Sequence, residues 1–192
     1  MSGRLWYLSH PQVVIDPAVP VTDWGLTEVG RARLEAFAAR ADIGTVTSIW
    51  TSSEAKARET GAVFGTALGL DPVAVEEMGE NDRSASGFLP PERFEAAADA
   101  FFAHPDDSFR GWETARAAQA RIVGAAAKAL AGAPAGDVLF CGHGAVGSLL
   151  WCHLAGQPIS RDHDQPGGGG CLWTAPRAGG APEHGWRRIE DC

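Results

Sequence analysis

Three short stretches carry side chains able to handle an anion or move a proton: His10 ahead of Pro11, "SSEAK" from Ser52 to Lys56, and "CGHG" from Cys141 to Gly144. Between the second and third, "GENDR" adds a carboxylate at Glu80 and a guanidinium at Arg83. Neutral imidazole offers a free nitrogen near physiological pH, and lysine steadies negative charge. Two histidines, a lysine, an arginine and a carboxylate therefore suit a phosphate-like anion, whose transfer depends mostly on positioning and charge. Gly142 and Gly144, on either side of His143, allow close backbone approach to a ligand.

Taken singly, each residue has an ordinary alternative. His10 reads equally as a satisfied strand-end histidine, His143 as a turn residue, Lys56 as a solvated first-turn lysine and Glu80 as a loop carboxylate. His104, His153, His163 and His184 read as structural. Asp162, His163 and Asp164 lack partners at ligand spacing elsewhere, so no metal site is expected.

What brings the candidates together is the order of elements. Apolar runs of strand character, Leu5 to Leu8, "VTSIWT", "DPVAVEEM" and "DVLFCG", alternate with segments of helical period. That alternation predicts an α/β fold, a three-layer sandwich with a mostly parallel central sheet and helices on both faces. Ligands in such sheets sit beyond the carboxyl ends of the strands. His10 follows the first strand, Ser52 and Lys56 the second, Glu80 and Arg83 the third, and His143 and Gly144 the fourth. Two helix N-termini at the same edge add N–H donors and positive dipole ends.

The helices have readable limits. Thr27 is the expected cap of "EVGRARLEAFAARA", with Val29, Leu34, Phe37, Ala38 and Ala41 as its apolar stripe. A serine is the expected cap of the next helix, which presents Thr60, Val63, Phe64, Ala67 and Leu68 and ends at Gly69. "GWETARAAQARIVGAAAKALAG" is a long helix with Ala118, Ile122, Ala125, Ala126 and Ala129 inward, and the helix after His143 stops at Gly156, before Pro158. "PERFEAAADAFFAHP" reads as a helix inside an insertion over the site, about residues 79–111. The tail reads as the "PGGGG" loop and two edge strands, of which Leu172 and Trp173 are the residues that would pair two subunits as a homodimer. The expectation is one domain over 1–192.

Bulk properties narrow the function. The 192 residues are 45% hydrophobic and 21% charged, enough for a sizeable core. A formal charge of −8 argues against nucleic-acid binding, which needs a basic stripe. No apolar run reaches the length of a membrane span, and the N-terminus has no signal-peptide pattern. The four cysteines have no C-x-x-C spacing, so the expected setting is reducing and cytoplasmic.

These residues resemble the histidine phosphatase superfamily, also called phosphoglycerate mutase-like, over nearly the whole chain. That family has a strand ending Arg-His-Gly, a helix start Leu-Thr-x-x-Gly, a Ser-Pro-x-x-Arg-Ala-x-x-Thr helix start, a loop acid, a Gly-Glu-Ser-like helix start and a Gly-His-Gly turn. Ser9-His10-Pro11, "LTEVG" from Leu26, "SSEAKARET" from Ser52, Glu80, "GWETA" from Gly111 and Gly142-His143-Gly144 are similar and in the same order.

The resemblance implies hydrolysis of a small phosphomonoester without metal or organic cofactor. In that scheme His10 takes the phosphoryl group as phosphohistidine, Glu80 protonates the leaving oxygen and later activates water, and His143 steadies the transferring oxygens. Ser9, Ser52, Lys56, Arg83 and Gly144 would hold the substrate. Ser9 and Lys56 stand where the family has arginines, so two bidentate forks become a hydroxyl and a point charge. Reduced activity is the consequence, unless Arg83 or Arg110 fills the vacated space. The alternative is a non-catalytic binder of a phosphorylated ligand. A phosphomutase ranks lower, because the chain looks short for a long lid that excludes water.

Overall fold

The computed structural model describes residues 3–192; Met1 and Ser2, the start of the N-terminal stretch read above, lie outside them. Six strands form one sheet: β1 (Arg4–Ser9), β2 (Val46–Ser52), β3 (Val73–Val75), β4 (Asp137–Gly142), β5 (Cys171–Pro176) and β6 (Arg187–Arg188). Their order is β3-β2-β4-β1-β5-β6, with the first four parallel and the last two joined antiparallel. The helices are α1 (Glu28–Arg40), α2 (Ala55–Leu68), α3 (Pro91–Ala103), α4 (Ala115–Gly132) and α5 (Gly144–Ala155).

Alternating strand residues feed two cores. Leu8, Ile49, Leu139 and Cys141 meet Leu34 and Phe37 of α1 and Phe64 of α2. Leu5, Tyr7, Val138 and Phe140 meet Phe101 and Phe102 of α3, Ile122 of α4 and Leu149 of α5. The sandwich is thus three-layered, as the alternation implies. β4, in the middle of the sheet, is buried along its whole length, and Val138–Cys141 reads as a continuous apolar run.

Helix limits follow local chemistry. The Thr27 hydroxyl accepts the Gly30 N–H at 2.9 Å, and Thr114 caps α4 by accepting from Ala117 at 3.1 Å. Gly69 and Gly156 close α2 and α5 in the left-handed conformation. The inward alanines of α4 and Ile122 are all buried.

Several expectations need correction. Val29 is 63% exposed, and Gly30 takes the inward position instead. A Cβ at Gly30 would lie 2.6 Å from the Gln12 carbonyl, so the helix rests directly on backbone. Glu54, not a serine, stands at the start of α2, and its side chain makes no cap bond. The third strand keeps only three residues, then Glu76–Met78 turns as a 3-10 helix and leads the chain off the sheet edge toward Glu80. Ala67 is exposed rather than inward. Leu172 and Trp173 are buried, because β5 lies between β1 and β6 and Trp173 stacks on Tyr7 at 5.0 Å, so they are not free to pair subunits. Among the described residues no helix is long and apolar enough to cross a membrane.

Candidate active site

His10 and His143 leave the ends of neighbouring parallel strands, β1 and β4, and their rings meet edge to face with centroids 5.3 Å apart. Pro11 holds its predecessor in extended backbone. The His10 N–H donates to Gly142 O at 2.9 Å, and its carbonyl accepts from Gly170 N–H at 3.1 Å, so the "PGGGG" loop pins it from the other side. Its Nδ1 lies 2.9 Å from Pro11 O. A carbonyl only accepts, so Nδ1 carries the proton and Nε2 keeps its lone pair. Burial drives the His10 pKa down to about 4, with Lys56 and Arg83 nearby adding to the effect and the Pro11 bond opposing it. The ring is neutral at physiological pH.

His143 is fully buried at the N-terminus of α5. The Tyr7 hydroxyl donates to its carbonyl and accepts its N–H, both at 3.2 Å, which fixes its backbone. Nε2 lies 2.7 Å from Ser52 Oγ and 3.4 Å from Glu54 Oε1. Nδ1 is buried without a partner. Burial also takes this ring down to about 4, although the Glu54 and Glu80 charges oppose it. A Cβ at Gly144 next to it would lie 2.3 Å from Gln165 Nε2, so a larger residue there would push the Gln165 side chain aside.

Glu80 reaches the same N-terminus. Its carboxylate accepts the N–H groups of Val146 at 3.1 Å, Ala145 at 3.3 Å and Asn81 at 3.1 Å. Arg121 of α4 holds its loop: the guanidinium donates to the carbonyls of Glu77, Gly79 and Glu80 at 2.8, 2.9 and 3.1 Å while paired with Glu113. Arg83 lies over the rings of Phe94 at 5.0 Å and Trp112 at 5.8 Å, makes no ion pair among the described residues, and is near enough to His10 to act on its charge. Arg110 is exposed and stacks on Phe109 instead.

The two positions that depart from the family pattern are occupied internally. The Ser9 hydroxyl donates to Gln165 Oε1 and accepts Cys171 N–H at 3.1 Å, tying β1 to the tail. Lys56 is only 2% exposed; it donates to Val21 O at 2.8 Å and is paired with Glu54.

Glu54, Gln165, Tyr7 and Arg121 are therefore parts of the site that sequence reasoning missed. Glu54 is the most consequential. Burial works against its charge, yet His143 and Lys56 outweigh it and bring the carboxyl down to about 2, helped by the Glu80 N–H at 2.8 Å. Its one signal was an acid two residues ahead of a lysine. That signal is weak, because residues two apart on a helix do not face each other. The pair forms because Glu54 is still extended, with φ −70° and ψ 143°, before α2 begins.

Comparison with known proteins gives the family and the fold. Residues 17–175 match the family model described as histidine phosphatase superfamily (branch 1); the match takes in Ser52, Glu80 and His143 and starts after His10. The mycobacterial glucosyl-3-phosphoglycerate phosphatase Rv2419c superposes with a TM-score of 0.80 at 19% identity, over 98% of this chain and 100% of that one. YhfR of Bacillus stearothermophilus gives 0.75 at 19% identity over 90% of each chain. TTHB049 of Thermus thermophilus gives 0.64 at 19% identity, over 90% of this chain and 92% of that one. No curated protein sequence matches the chain.

Proposed function

Because the chain belongs to the histidine phosphatase superfamily (branch 1), we propose that it hydrolyses a small phosphomonoester through a phosphohistidine on His10, without a metal. The observation that carries this reading is the His10 ring itself: neutral, with Nδ1 occupied by Pro11 O and Nε2 free, edge to face with the buried His143. Attack by the Nε2 lone pair forms the N–P bond as the bond from phosphorus to the leaving oxygen breaks. Glu80 gives that oxygen its proton, then takes one from the water that cleaves the N–P bond.

His143 stands opposite the nucleophile. With the Ser52 hydroxyl donating to Nε2, the ring proton sits on Nδ1, the buried nitrogen that has no protein partner. There it donates to a phosphoryl oxygen. Arg83, the unpaired cation near His10, takes the place of the missing arginines. The named phosphatase among the structural relatives supports a phosphorylated small molecule as substrate.

A binding protein without turnover is the second reading, favoured by one observation: Ser9 and Lys56 spend their donors inside the protein. Turnover measured over a panel of phosphorylated metabolites, wild type against His10→Ala, separates the two. Hydrolysis that vanishes in the variant is the expected result; phosphate binding with no hydrolysis in either protein would establish the second reading.

A further inference from the structure

We infer that Glu54 is a resident anion in the phosphoryl pocket, which a ligand must displace from Lys56 and from the Glu80 N–H and which sets the pocket against doubly charged phosphoryl groups. The inference rests on the phosphoryl-binding reading of the site and concerns its selectivity.

The carboxylate already has the coordination expected of a bound anion. One oxygen is paired with the Lys56 ammonium. The other accepts the Glu80 N–H at 2.8 Å. Lys56 is the only buried lysine among the described residues, and Glu54 neutralises it on the spot.

The charges that face the pocket can be summed element by element. From the end of β1 comes His10, neutral; from the start of α2, Glu54 and Lys56, which cancel. From the loop after β3 come Glu80 and Arg83, of opposite sign, and from the start of α5, His143, neutral. Glu54 takes one unit of positive charge out of the pocket by cancelling Lys56. A buried anion site deprived of a cation leaves a dianion poorly compensated, since low-dielectric surroundings penalise uncompensated charge. A monoanion loses less water on entry and is the better ligand.

Two binding measurements on the folded protein test this. In the first, inorganic phosphate is titrated into wild type and into Glu54→Gln by calorimetry. The variant is expected to bind at least tenfold more tightly at pH 8, where phosphate is mostly a dianion. Unchanged or weaker binding by a folded Glu54→Gln overturns the inference.

The second needs no variant, which matters because a buried lysine without its partner can unfold a protein. Phosphate and sulfate are titrated into wild type between pH 8 and pH 5.5. Phosphate gains a proton over this range and sulfate stays a dianion. Phosphate is expected to tighten several-fold as the pH falls while sulfate stays weak and constant. Sulfate tightening in step with phosphate would mean that protein groups titrate instead, and would overturn it. Neither result depends on catalysis: a protein that binds phosphate but never hydrolyses an ester fails the phosphatase reading alone.

Discussion

At the scale of single residues, reactivity is decided by which atoms the protein leaves free. His10 spends Nδ1 on Pro11 O and keeps Nε2, and His143 keeps a buried nitrogen without a partner. Ser9 gives its one donor to Gln165, and Lys56 gives two of its three to Val21 O and Glu54. Arg83 is the remaining cation, lying over two aromatic rings. A charge-assisted hydrogen bond is worth about 1.5–3 kcal/mol, so Arg83→Ala should lower kcat/KM by roughly 10- to 100-fold. Arg83→Lys should recover only part, because an ammonium cannot present a planar fork. Steady-state kinetics on the two variants checks this, and unchanged turnover in Arg83→Ala would remove the arginine from the site.

At the scale of elements, the site depends on strand ends being brought level and on one loop being clamped. β1 and β4 pair in parallel register from Leu5 with Val138 to Ser9 with Gly142, which puts His10 and His143 side by side. Glu80 has no strand of its own to fix it; Arg121 does so from α4, through three carbonyls and the Glu113 carboxylate. Arg121→Ala leaves those carbonyls and a part-buried Glu113 without their donor, at a cost of about 1–3 kcal/mol. Thermal unfolding should shift down accordingly, and kcat should fall more than KM rises because Glu80 loses its position; a kcat equal to wild type would contradict the clamp. The strand and helix order was legible because hydrophobic period and Gly, Pro and Thr punctuation are local. His10 and His143 stood out for the same reason, each beside residues that restrict or free the backbone. Arg121 and Glu54 did not, because their roles arise from contacts far apart in sequence: Arg121 is 41 positions from Glu80, and Glu54 is 26.

At the scale of the whole molecule, placing a buried histidine, a half-buried histidine and a half-buried carboxylate at one sheet edge couples stability to pH. Both rings drop from 6.5 to about 4 on folding, so between these values the unfolded chain binds more protons than the native one. Stability therefore rises with pH through that window and is lost as pH falls through it. Glu54, brought from 4.5 to about 2, extends the loss to lower pH, since its stabilisation is complete above 4.5 and disappears toward 2. Urea unfolding at pH 7.5, 6 and 4.5 should show a progressive decline, on the order of a few kcal/mol over the range. His10→Ala should decline less steeply, and a flat profile would contradict the neutral burial of the rings. The whole assembly serves one claim, that phosphate passes through His10. Brief reaction with a labelled phosphomonoester followed by alkaline quench tests it most directly. Label on the protein that is stable to alkali, lost in acid and absent from His10→Ala is the expected result; turnover without such label, or equal label on the variant, would contradict a phosphohistidine at His10.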